Sequence, residues 1–188
     1  MLIQINTAIT EAVKKAAKET EHEKNNKIRS RKFIEILHYN FRNVVFPLEQ
    51  VFSKEVINET FNRREYLYDM LVCKKGNTKS GHNSKISIPY IKEAILVLES
   101  EFRENLQYSI DDFNKLVCAK STYYVMILPL SSNHKIHYLD PIKQIAKSIK
   151  RELLICFIDP PKKWHNDKIN IVSYVYDSEK AEFKPFKS

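Results

Sequence analysis

Three acidic side chains carry the sharpest chemical signal in the sequence. Asp69 falls within an aromatic and aliphatic run of strand length, residues 65–73. Glu99 and Glu101 follow directly on the continuous apolar run 94–98. A strand alternates its faces with period two, so Glu99 and Glu101 are expected to project to the same side. Two acids on one face at the end of a core strand are costly unless something compensates them. A divalent cation would do so, because carboxylate oxygens are hard ligands suited to Mg2+ or Mn2+. Mg2+ often takes one or two carboxylates together with substrate phosphate. A strand end that emerges into solvent, or lysines that pair with the acids, would account for the same residues without a metal.

Other constellations are weaker. His134 and His137 are three apart with Asp140 beyond, a spacing that can bind zinc on a helix, but the helix is expected to begin only at Asp140. Trp164-His165 follows Pro160-Pro161 and reads as a packed turn. Cys73, Cys118 and Cys156 are odd in number, far apart and without a CxxC pair, so reduced thiols are expected. Packing accounts for most of the tyrosines better than base stacking does.

The elements that must position the acids follow from periodicity. Ile5, Ile9, Val13 and Ala17 recur every four residues and predict a helix over 5–24. Residues 21–32 are polar and increasingly basic, either a solvated continuation or a linker. A second helix carries Phe33, Ile36, Leu37 and Tyr39. Pro47 interrupts the next stretch, and Val51, Val56, Ile57 and Phe61 predict a helix up to Arg63 or Arg64. Strands are expected over 65–73, 94–98, 123–128, 153–158 and 169–176. A helix starts near Ser109, and another at Asp140-Pro141, where a cap residue precedes a proline. Continuous apolar strands separated by amphipathic helices predict an α/β fold, a mixed central sheet flanked by helices with an N-terminal helical extension. The expected division is a helical region over 1–62 and an α/β core over 63–188.

Charge points toward a partner. Lysine and arginine number 31 against 23 acids in 188 residues, a net charge of +8. Such an excess favours polyanions through counterion release, although solubility alone is a simpler use of it. Residues 74–85 hold both glycines, no acid, and Lys74, Lys75, Lys79 and Lys85. They predict a flexible basic loop linking the two acidic strands, placed to contact phosphates or else merely solvated. The cluster Lys27, Arg29, Arg31 and Lys32 could add a second phosphate contact, but reads more simply as a solvated helix face. Two glycines and no GxGxxG or Walker-type loop argue against a nucleotide-binding Rossmann or P-loop enzyme. No apolar run approaches the ~20 residues of a membrane span, and the N-terminus lacks a secretory pattern. A cytoplasmic protein without a membrane partner is expected.

Residues 64–69 (REYLYD), 94–102 (AILVLESEF) and 111–116 (DDFNKL) together resemble the restriction-endonuclease-like superfamily, the PD-(D/E)xK nucleases, over roughly residues 60–130. The resemblance implies a Mg2+-dependent phosphodiesterase acting on DNA. It matches Asp69 to the motif Asp and Glu99 to the first acid of the second motif. Glu101 stands where a lysine is usual, as in some active restriction enzymes. Glu65 resembles an additional acid seen in many members. Lys115 lies in the following helix, where some relatives relocate the lysine; alternatively it pairs with Asp111 or Asp112. In this reading Asp69, Glu99 and Glu101 hold Mg2+ (or Mn2+), and Glu101 or a lysine orients the attacking water. A nuclease fold that has lost hydrolysis, serving as a nucleic-acid-binding or protein-interaction module, is the alternative from another class. A small immunity or regulatory partner protein is a third. The N-terminal helices suit a cap, a homodimer contact or a DNA clamp.

Overall fold

The regular spacing of apolar residues in the first forty positions produces two helices. A computed structural model of the chain describes residues 1–64, 66–79, 87–164 and 168–186. Helix α1 (Leu2–Glu19) buries Ile5, Ile9, Ala12, Val13 and Ala16 along one stripe. It stops at Glu19 rather than residue 24, with the Thr20 hydroxyl donating to the Ala16 carbonyl. Asn25 caps α2 (Asn26–Asn40), its side chain accepting from the Lys27 amide. The helix continues as a π-helical turn over Phe41–Val45 and ends ahead of Pro47. Arg29 is not on a solvated face. It is buried, and donates to the Glu23 carbonyl (2.7 Å) and the Pro161 carbonyl (2.8 Å), which ties α2 to a turn more than a hundred residues away.

Among the described residues, seven strands form one mixed sheet in chain order: β1 (Gln50–Ser53), β2 (Met70–Lys79), β3 (Ser87–Ser100), β4 (Tyr123–Pro129), β5 (Glu152–Ile158), β6 (Ile171–Asp177) and β7 (Glu182–Phe186). β3, β4 and β5 are parallel, and the other neighbours are antiparallel. The two parallel steps need crossovers, supplied by α3 (Leu106–Cys118) and α4 (Asp140–Ala146). A π-helical turn, Lys135–Leu139, leads directly into α4, so Asp140 continues a helix there and does not cap one.

Period two divides the central strands between two cores. Val72, Leu96, Leu98, Val125, Ile127 and Leu154 share one cluster with α1 and α2. Leu71, Val97, Tyr124, Met126, Ile155 and Phe157 share the other with α3 and α4. Burial on both faces explains why these strands read as unbroken apolar runs. Among the described residues, no helix is long and apolar enough to cross a membrane.

Three sequence expectations are corrected. The helix expected around Val51–Phe61 is instead β1 followed by turns. Val51 and Phe52 pair with Val72 and Leu71, and this tertiary pairing overrides the weak helical spacing. β7 lies outside the predicted set, because its half-exposed EFKPF pattern resembles a surface segment. The basic loop expected over 74–85 is, up to Lys79, an extension of β2; residues 80–86 lie outside the described set. β1 reaches only to Cys73 and β4 begins pairing only at Leu96. Residues 74–79 and 87–93 therefore pair with each other alone, as a two-stranded ribbon leaving the sheet.

Gly76 faces Tyr90 across this ribbon, and a Cβ there would lie 2.4 Å from the Tyr90 Cζ. Gly76→Ala is expected to displace the ring and cost about 1 kcal/mol, the low end for overpacking because the ring is exposed. Urea denaturation of Gly76→Ala, Tyr90→Ala and the double variant checks this. The loss should vanish in the Tyr90→Ala background.

Candidate active site

Antiparallel pairing of β2 with β3 brings the first two acids together. Met70 opposes Leu98, so Asp69 arrives beside Glu99 and Ser100. Asp69 is fully oriented: one carboxylate oxygen accepts from the Ser100 amide (3.0 Å) and hydroxyl (2.5 Å), the other from the Lys54 ammonium (2.8 Å). Lys54 comes from the turn directly after β1, in a stretch that reads as helix in the sequence.

Glu99 is only 1% exposed. Its Oε2 accepts from Lys115 at 3.4 Å, while its Oε1 is buried with no hydrogen-bond partner. Burial pushes its pKa up to about 8; the charges of Asp69 and Asp112 add to this and Lys115 opposes it. Lys115 projects from α3 and pairs with Asp112 at 2.7 Å, as the simpler sequence reading expects, and also reaches Glu99 at 3.4 Å. Burial would depress the Lys115 ammonium, but Asp112 and Glu99 outweigh it and raise the pKa.

Glu101 lies past the end of β3, its amide donating to the Ile127 carbonyl. Its carboxylate belongs to Arg103. Oε1 accepts from the Arg103 amide (2.7 Å), and Oε2 from Arg103 Nε (2.8 Å) and Nη2. The Arg103 guanidinium in turn lies over the Tyr108 ring, 3.8 Å from its centroid. The three acids thus do not converge as expected. Among the described residues, no three His, Cys, Asp or Glu side chains group closely enough to hold a metal ion.

All three acids nevertheless line one open cleft of about 860 Å3. Its other walls are the N-terminal turn of α2, with Lys27 and Ser30, and the turn after β5, with Pro161 and Lys162. An edge-to-face trio of Phe33, Phe102 and Trp164, with centroids 5.7–6.1 Å apart, lies where these walls meet. The Trp164 indole donates to the Asp159 carbonyl. Phe102 sits between Glu101 and Arg103 in sequence, so this aromatic anchor fixes the chain that carries both.

Lys74, Lys75 and Lys79 do not line the cleft. β2 runs away from Asp69, and at ~3.3 Å per residue they stand roughly 15–35 Å along the strand from it. Lys74 pairs instead with Glu93 at 2.9 Å. The sequence places the basic segment beside the acids because it joins their strands; the length of β2 instead carries Lys74, Lys75 and Lys79 away from them. Glu65 and Lys85 lie outside the described residues. Lys54 and Lys162, which do line the cleft, come from segments remote in sequence.

Among the remaining candidates, Cys118, His137 and Asp140 are exposed and the others that the structure describes are packed. His134 bonds the Ser131 carbonyl (2.8 Å) and the Tyr174 hydroxyl (3.1 Å) against Phe157. Cys73 and Cys156 are buried, and burial pushes each thiol up to about 12. His38 and Ser53 form a hydrogen-bonded pair, but both are buried, and desolvation with the nearby Arg42 charge pushes the imidazole down to about 4.

Comparison of the chain with protein-family models, with curated proteins and with solved structures finds no match.

Proposed function

We propose that the chain is a metal-dependent nuclease of the restriction-endonuclease-like kind, hydrolysing phosphodiester bonds of nucleic acid, DNA first among them, in this cleft. The observation that carries the reading is Glu99: a buried carboxylate with one unpartnered oxygen, beside a second carboxylate, at an open cleft rimmed by lysines. Nothing in packing rewards such an arrangement. A divalent cation fits it, because it would partner the orphaned oxygen and offset the repulsion from Asp69.

Asp69 and Glu99 are the residues that would hold Mg2+ or Mn2+, with Glu101 available once it leaves Arg103. When bound, the ion lowers the pKa of a water and stabilises charge on the scissile phosphate. Ser100 and Lys54 fix the Asp69 carboxylate. Lys115, held by Asp112 beside Glu99, is the residue placed to orient water or take a phosphate oxygen. Lys27 and Lys162 would meet the backbone of a bound strand on the far wall.

One observation favours a second reading. Each acid already has its own cation, Lys54, Lys115 or Arg103, as in a fold that has lost hydrolysis and only binds. Supercoiled plasmid and labelled duplex, incubated with Mg2+, with Mn2+ and with chelator, separate the two. The nuclease nicks or cuts in Mn2+ and stops on chelation. Binding of the duplex without cleavage in either metal would instead establish the inactive module.

A further inference from the structure

Glu101 is 6% exposed, yet it makes no described contact with the other two acids. Every hydrogen bond to its carboxylate described here comes from Arg103, two residues on. Arg103 itself is the opposite kind of group. Its side chain is 63% exposed, it lines the cleft, and one face of its guanidinium rests on Tyr108. Glu101 occupies only Nε and Nη2. A guanidinium offers five N–H donors in a flat fork, so Nη1 and the second Nη2 proton remain for another acceptor. Arginine forks prefer phosphate oxygens in paired, charge-assisted bonds.

We propose that Arg103 is a positioning residue that keeps Glu101 out of the cation site until a nucleic-acid phosphate takes its guanidinium, so that substrate and divalent cation bind cooperatively. This rests on the nuclease reading and extends it. Before substrate arrives, Asp69 and Glu99 alone face a cation, and two carboxylates with water are a weak set for a hard ion. A strand laid in the cleft brings phosphates past Lys27, Lys162 and Arg103. Rotation of the guanidinium toward a phosphate frees Glu101 Oε2 while Oε1 keeps the Arg103 amide, and the freed oxygen can then turn toward a cation held by Asp69 and Glu99. Tyr108 supports the guanidinium plane in its Glu101-bound position. By linkage, whatever factor the strand adds to cation affinity, the cation adds to strand affinity.

The experiment is calorimetric titration of Ca2+, a hard cation that takes the same oxygen ligands as Mg2+, into the full chain with and without a DNA duplex. Duplex alone serves as the blank. For the native chain, the duplex is expected to tighten Ca2+ binding at least tenfold. Arg103→Gln should bind Ca2+ tightly without duplex and gain less than threefold from it. Arg103→Lys, which keeps the charge but not the fork, should fall between. Glu101→Gln should bind weakly throughout, and Glu101→Gln/Arg103→Gln should be no better than Glu101→Gln. A double variant that gains as much as Arg103→Gln would show that the gain is only a lost positive charge, and would overturn the proposal. So would equal Ca2+ affinity of the native chain with and without duplex. Absence of Ca2+ binding from every sample, and of Mn2+ binding in a parallel titration with duplex present, would overturn the nuclease reading itself.

Discussion

Asp69→Asn is expected to lower cleavage by more than about 100-fold while leaving the fold in place. Removal of groups that merely orient metal ligands already costs 10–100-fold, and Asp69 is placed to be a ligand. The structural cost is smaller. Asparagine keeps one acceptor, which can serve Ser100, but its amide nitrogen then faces Lys54, donor against donor. Lys54 is about one-third exposed and can turn to water, so the loss should be about 1 kcal/mol. Initial nicking rates in Mn2+, read beside a thermal melt of the same samples, check both halves. Cleavage at the native rate would remove Asp69 from the mechanism.

The second large effect is on stability and concerns Glu99. Its pKa is about 8 in the folded chain, against an ordinary value of 4.5. The folded state therefore holds a proton that the unfolded state has released, and the slope of unfolding free energy with pH is negative. Below pH 4.5 both states are protonated and nothing is lost. As pH rises from 4.5 to 8 the metal-free protein pays progressively for a buried, unpartnered carboxylate, and above 8 the loss is complete. The interval of 3.5 pH units sets a ceiling of about 5 kcal/mol. Glu99→Gln has no such slope. It is expected to be increasingly more stable than the native chain as pH rises through this window, while losing cleavage. Urea melts of both proteins at pH 5, 6, 7 and 8 measure the difference. A difference that does not change with pH would mean that Glu99 is ordinarily solvated. Saturating Mn2+ should reverse the ranking at pH 8, since only the native carboxylate gains from the ion.

The parts legible in the sequence are those whose chemistry is local. β4, β5 and β6 lie between two cores or close to one, so their residues had to be apolar. Asp69 and Glu99 stand out because acids that adjoin such runs conflict with burial. The illegible parts depend on partners remote in the chain. β1 has four residues and owes its conformation to β2. Lys54 becomes part of the site only through that pairing. Arg29 reads as one more basic residue of a charged run, because the carbonyl it bonds at Pro161 is 132 positions away. The Glu101–Arg103 pair is different. It spans two residues and was in plain view, but alternation along β3 directs Glu101 toward Glu99 only while the strand lasts, and the strand ends at Ser100.

Among the described residues, no further strand pairs with either outer edge of the ribbon formed by residues 74–79 and 87–93. Each edge is a row of backbone donors and acceptors on which a foreign chain could assemble as an additional strand, the first step toward fibrous aggregation. Lys75, Lys79 and Lys92 place positive charge along the ribbon, which opposes its pairing with a second copy, and Pro89 interrupts one row of donors. The lysines that stand too far from the acids to serve the cleft thus put like charge where two copies of the ribbon would have to meet.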